Sequence, residues 1–232
     1  METEIPNIIR DSVRDSFKLP EDQDEMQNFA EAIRVSMREQ ATAHNRSVFL
    51  MLAFVALFTL LTATKQTQFA FLGFTFANTS LLQILIPPLV AYLYLDAVVT
   101  SCRWEYYEDV HRSVIEKINP KLFKTGLDRF MGPRSSSVSG AGAIGDLWKT
   151  IPRGPATEIA LAFMGLFAMG AVPAAFLGLA YNWLVGKYHD NPLTWVSLGL
   201  SIILWGCAFL LWFHYGRQHW ESIWSWLHRE NS

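Results

Sequence analysis

Cysteine is scarce, with two in 232 residues, and charge is nearly balanced, at a formal −2. Two thiols make no disulfide framework, and a near-neutral chain gives no bulk argument for nucleic acid or a strongly charged partner. Charge is also missing locally. Val48 to Thr64 carries none, and with Ser47 it reaches the ~18 to 20 residues a helix needs to cross a ~30 Å hydrocarbon core. Ser80 to Thr100 has one ionisable residue, Asp96; a stretch from about Ala156 to Tyr181 has one, Glu158; about Leu193 to Phe213 has none. Four such blocks are too many for buried core helices in a chain this short, so the sequence predicts four transmembrane helices. No small-residue cleavage site follows the first block, which stands behind 46 residues and runs into Lys65-Gln66-Thr67-Gln68. That excludes a cleavable signal peptide and predicts that the amino terminus is kept.

The basic residues that are present are unevenly placed. Six lie in residues 1–46, nine in 101–155 and two in the tail, against Lys65 and Lys187 in the two remaining loops. The positive-inside rule then puts both termini in the cytoplasm. The expected fold is an all-α membrane bundle with both ends inside and a small helical cytoplasmic layer. Its segments are an amphipathic arm (1–46), two spans joined by an aromatic outer loop (47–100), a cytoplasmic helical loop with a Ser/Gly-rich stretch (101–155), two further spans (156–213) and a Trp-rich tail (214–232).

Apolar spacing fills in the polar segments. Ile5, Ile8, Ile9, Val13 and Phe17 share one broad face; after Leu19-Pro20, a second helical pattern runs through Met26, Phe29, Ala30, Ile33 and Met37 and feeds toward the first span. Phe69, Phe71, Phe74 and Phe76 alternate around Gly73, which predicts a short hairpin. Beyond the second span, Tyr107, Val110, Val114 and Ile118 share a face of a helix that Pro120 closes. In the tail, Trp220, Ile223, Trp224 and Leu227 form an apolar face suited to the membrane interface or to docking on the amino-terminal arm.

Motifs for chemistry are thin. Gly140, Gly142 and Gly145 spell G-x-G-x-x-G, but a dinucleotide cradle needs a strand before the glycines and a βαβ unit around them. Here serines precede them and Pro152 and Pro155 follow, so a flexible linker is expected. Glu108 and His111 make a single E-x-x-H pair where a di-metal carboxylate site needs two. His214 and His219 are five apart, ~140° round a helix, and do not converge on one ion. No catalytic residue, metal or cofactor is expected, although His111, Asp109 and Glu105 are the candidates for a lipid-directed enzyme at the cytoplasmic face.

Polar and small residues within the spans are more informative. Asp96, Glu158 and Gln83 are candidate intramembrane polar sites. Gly170, Ala174 and Gly178 form a small-xxx-small series that permits close helix approach, within the chain or between copies. Pro87, Pro88 and Pro173 are expected to bend their helices. An elaborate cytoplasmic face with minimal outer loops points to a non-enzymatic, homo-oligomeric protein of the inner or plasma membrane. Residues 1–46, 101–131 and 214–232 would anchor or signal to a cytoplasmic partner, as a sensor or effector in a bacterial stress or phage-defence system would. The alternative is an oligomeric ion channel or pore with Asp96 near the pathway.

Overall fold

The computed structural model describes residues 12, 15–16, 23–63, 69–71, 74–76, 79–121 and 170–229, with side chains described only to His214 in the last helix and not in the strands. Among the described residues the long elements are four helices: α1 (Gln23–Ala63), α2 (Thr79–Ile118), α3 (Val172–Tyr188) and α4 (Pro192–Arg229). Between α1 and α2, strands β1 (Phe69–Phe71) and β2 (Phe74–Phe76) pair antiparallel, Phe71 opposite Phe74. The hairpin expected around Gly73 is therefore formed.

Among the described residues three helices, α1, α2 and the Pro192–His214 part of α4, are long and apolar enough to cross a membrane. At 1.5 Å per residue, a 40-residue helix such as α2 is about 60 Å long, twice the hydrocarbon core. α1 and α2 accordingly carry the apolar spans and the charged stretches next to them in single unbroken helices. The start of the expected third span, with Glu158, lies outside the described residues, as do Ile5 to Ile9, Val13, Phe17 and Gly140 to Gly145. α3 runs to Tyr188 rather than Tyr181, leaving only His189 to Asn191 as the connection to α4. That connection is a helix start signal: Asn191 Oδ1 accepts from Leu193 N–H at 3.0 Å, and Pro192 follows at the first helical position, where its missing N–H costs nothing.

The chain divides into two compact units. One comprises residues 1–45, 99–153 and 212–232, the other 46–98 and 154–211. In the first, Met26, Ala30, Ile33 and Met37 of α1 bury against Val114 of α2, with Trp104, Tyr107, Val110, Ile115 and Ile118 packed around them. Phe29, expected on the buried face, is 41% exposed. The reason is the period: the buried positions of α1 recur as 26, 30, 33 and 37, a heptad spacing that turns position 29 aside.

In the second unit α2 lies among the other three helices. Phe58 and Leu61 of α1, Ile86 and Val90 of α2, and Phe176 and Ala180 of α3 make one cluster, in which Phe58 meets Phe176 and Trp183 edge-on. Ile84 of α2, Leu184 of α3 and Leu198 of α4 make another. Many large apolar residues face outward, among them Phe49, Leu52, Leu85, Leu179, Ile202 and Leu210. A patch of that extent is foreign to a water-facing monomer and natural to a lipid-facing one.

Candidate functional site

The polar groups of the second unit are not scattered; they tie α2 to each of its neighbours. Ser47 of α1 is buried and donates to Asp96 Oδ2 of α2 at 2.5 Å. Near the hairpin, Gln83 Nε2 donates to the Leu61 carbonyl at 2.8 Å, while its Oε1 accepts from the Tyr188 hydroxyl of α3 at 2.7 Å. Going from Ser47 to Leu61 along α1 goes back from Asp96 to Gln83 along α2, so the two helices pair antiparallel between ties about 20 Å apart.

Each tie answers a local demand. Leu61 lies in the last turn of α1, where the carbonyls have no intrahelical donor, so Gln83 acts as a cap supplied by another helix. Pro87 and Pro88 remove the N–H groups that would have reached the carbonyls of Gln83 and Ile84. The buried Ser197 hydroxyl of α4 donates to that Ile84 carbonyl. The serine thus restores a bond the proline deletes, the usual way a proline-containing membrane helix is satisfied. Ser201, one turn on, donates to the Ser197 carbonyl at 2.7 Å.

The sequence-predicted residues are placed as follows. Gln83 is fully buried with both ends of its amide engaged, and Asp96 is half-buried on Ser47. Pro87 and Pro88 lie inside α2; Pro173 lies in the first turn of α3, directly after a wide π-type turn at Gly170–Ala171. Ala174 is half-buried, Gly178 is exposed, and a Cβ at Gly170 or Gly178 would meet nothing within 4 Å among the described residues. Trp220, Ile223, Trp224 and Leu227 belong to the unbroken α4.

Glu105, Glu108, Asp109 and His111 all fall on the part of α2 that belongs to the first unit, past the apolar stretch that ends at Thr100. Burial, with Glu108 and Asp109 adding to it, pushes the Glu105 carboxyl up to about 7. Among the described residues no group of three or more His, Cys, Asp or Glu side chains is arranged to hold a metal.

Sequence reasoning passed over Ser47, Tyr188 and Ser197, and a second cluster at the α3–α4 turn. There Lys187 Nζ sits 4.6 Å from the Trp183 ring centroid and 5.2 Å from that of Tyr188, and Trp195 Nε1 donates to the His189 carbonyl at 2.9 Å. Trp, Tyr and Lys gathered at one end of apolar helices is the composition of a membrane–water interface, and the spacing Tyr181, Trp183, Tyr188, Trp195 carried that signal in the sequence.

Three membrane-length apolar helices, polar ties directed inward and an interfacial aromatic cluster define the build of a helical membrane protein. No family model, no curated protein and no solved structure matches the chain.

Proposed function

We propose that the chain is a non-enzymatic, homo-oligomeric protein of the inner or plasma membrane, with both termini in the cytoplasm, that anchors or signals to a cytoplasmic partner. The observation that carries this reading is the apolar core that α1 and α2 build beyond their spans from Met26, Ala30, Ile33, Met37 and Val114. A pair of helices that only had to cross a bilayer would end near its surface. The basic residues support the orientation, with seventeen of nineteen on the side of the termini. On the same helices Val35 and Tyr106 are 46% and 50% exposed, apolar surface in a region facing water. A sensor or effector of a bacterial stress or phage-defence system has this division of labour.

The test is co-purification of the solubilised protein with its partner from native membranes, for the parent chain and for Val35→Glu with Tyr106→Ala. Both positions are surface positions, so the fold is retained while the partner is lost. Retention of the same partner by the double variant, or absence of any partner from the parent, overturns the reading. The pore reading rests on Asp96. Its bond from Ser47 gives that carboxyl a role between α1 and α2, so ion flux in liposomes altered by Asp96→Asn is the result that would favour a pore over an anchor.

A further inference from the structure

At the end of the second unit where α2 and α4 begin, one hydroxyl stands apart from the bonds that tie the helices. Thr194 is 0% exposed, and its Oγ1 has no hydrogen-bond partner among the described residues. Serine and threonine in a helix commonly donate to the carbonyl three or four residues back, as Ser201 does to Ser197. Thr194 is the third residue of α4, so the carbonyl four back, that of Asp190, lies outside the helix. The one three back, that of Asn191, already takes the Thr194 N–H at 3.0 Å. Burying a hydroxyl alone is costly, and the buried polar groups of folded chains are satisfied by protein or by ordered water.

An acceptor that lacks its donor lies across the helix pair. Pro87 and Pro88 leave the carbonyls of Gln83 and Ile84 without their regular helical donors. Ser197 serves Ile84; among the described residues no side chain serves the backbone carbonyl of Gln83, a residue 2% exposed. Thr194 and Gln83 stand on the same side of the bond from Ser197 to Ile84. The Tyr188 hydroxyl reaches Gln83 Oε1 at 2.7 Å, and the Tyr188 carbonyl accepts from Asn191, whose own carbonyl accepts from Thr194. Counted from that bond, Gln83 lies ~1.5 Å back along α2 and Thr194 ~4.5 Å back along α4. The offset of ~3 Å, about the diameter of a water molecule, suits a bridge of one water better than a direct bond, which Thr194 does not make.

We infer that Thr194 Oγ1 and the Gln83 carbonyl hold a buried water between α2 and α4. The water accepts from the Thr194 hydroxyl and donates one hydrogen to the Gln83 carbonyl. Its second hydrogen goes to the Tyr188 hydroxyl oxygen, which gives its own proton to Gln83 Oε1 and keeps its lone pairs. Three bonds are the usual complement of a buried water. A metal cation is the wrong occupant, since three neutral oxygens neither fill its coordination shell nor offset its charge. The two prolines of α2 are then answered in two ways, one freed carbonyl by Ser197 directly and the other by Thr194 through water.

The experiment replaces Thr194 by valine, which keeps the shape and removes the hydroxyl, and reads chemical denaturation in mixed micelles. Thr194→Val lowers the folded-to-unfolded ratio roughly tenfold, because the water leaves and the Gln83 carbonyl is stranded. A Pro87→Ala background returns a backbone N–H to that carbonyl, and there the loss shrinks. A hydroxyl with no partner gives the opposite sign, since trading it for a methyl group stabilises. Parent or higher stability of Thr194→Val, or equal losses in both backgrounds, therefore overturns the inference. So does a midpoint that shifts in the parent, but not in Thr194→Val, when sodium or potassium replaces choline at constant ionic strength, which would put a cation at the site. A crystal structure grown from a lipid mesophase reads the site itself. A density peak within hydrogen-bond distance of Thr194 Oγ1 and the Gln83 carbonyl, absent from Thr194→Val, is expected; a protein group bonded to Thr194 Oγ1 in its place overturns the water.

Discussion

Replacing Gln83 by leucine keeps the volume and removes the amide. Two bonds go at once, Nε2 to the Leu61 carbonyl at 2.8 Å and the Tyr188 hydroxyl to Oε1 at 2.7 Å. Interhelical side-chain bonds in a membrane protein average ~0.6 kcal/mol and reach ~1.7, because the unfolded chain in the membrane also finds partners. The Leu61 carbonyl lies in the last turn of α1, where helix carbonyls run out of intrahelical donors, and stranding a buried acceptor costs ~1 to 3 kcal/mol. The expected loss for Gln83→Leu is therefore about 2 to 3 kcal/mol, read by denaturant titration in mixed micelles. Tyr188→Phe removes one of the two bonds and strands nothing charged, so it costs about 1 kcal/mol or less. The double variant completes a cycle in which the two losses add to more than the combined effect, by ~0.5 to 1 kcal/mol, as expected for residues in direct contact. Gln83→Leu at parent stability, or strictly additive losses, would refute the reasoning that this amide joins α1, α2 and α3.

Other outcomes follow from the same geometry. Ser197→Ala costs about 1 kcal/mol by stranding the Ile84 carbonyl, and the cost falls toward zero in a Pro88→Ala background, where the helix supplies its own donor; equal costs in both backgrounds would break the link between serine and proline. Met37→Ala, at a fully buried position of the first unit, costs ~2 to 5 kcal/mol and lowers the thermal midpoint measured in detergent, and a midpoint unmoved by it contradicts the packing. The Glu105 carboxyl is raised from 4.5 to about 7 in the folded chain, so its contribution is intact below pH 4.5 and is lost as pH rises through about 7. Glu105→Gln is accordingly worth about 1 to 2 kcal/mol to the folded chain at pH 8 and little at pH 4.5, and a melting curve that shows the gain at low pH instead would reverse the sign.

Where the sequence was readable, it was readable because one physical demand dominated. The charge-free run from Val48 and the face Tyr107, Val110, Val114, Ile118 each follow from burial alone, and the latter four all sit in the core of the first unit. Alternation around Gly73 sufficed for the hairpin because strand pairing there is local. Phe29 was misplaced because a 3.6-residue pattern and a 3.5-residue pattern differ by little over two turns, and only packing against α2 decides between them. The end of α3 was set too early at Tyr181, since Asn182 and Lys187 look like loop residues; in the structure Lys187 is held over Trp183 and Tyr188, and the helix carries on beneath it.

The candidate site was legible by half. A lone carboxyl and a lone amide within apolar runs announce themselves, so Asp96 and Gln83 stood out. Their partners did not: serines and a tyrosine are common in membrane helices, and nothing near Ser47, Tyr188 or Ser197 in the chain says which helix they will face. Ser197 is tied to Ile84 across 113 positions, a pairing that only the folded arrangement of α2 and α4 creates. The proline side of the same interaction could have been anticipated, because Pro88 guarantees a carbonyl at Ile84 in want of a donor.

The claim that most of this rests on is that the first unit presents a docking surface to a protein on the cytoplasmic side. A photo-crosslinking amino acid placed at Val35, at Tyr106 and, for comparison, at the outward-facing Leu210, and activated in intact cells, tests it most directly. Adducts to one and the same foreign protein are expected from Val35 and Tyr106, and none to that protein from Leu210. Adducts to lipid alone at Val35 and Tyr106, or labelling of both positions by a membrane-impermeant reagent added outside the cell, would contradict it.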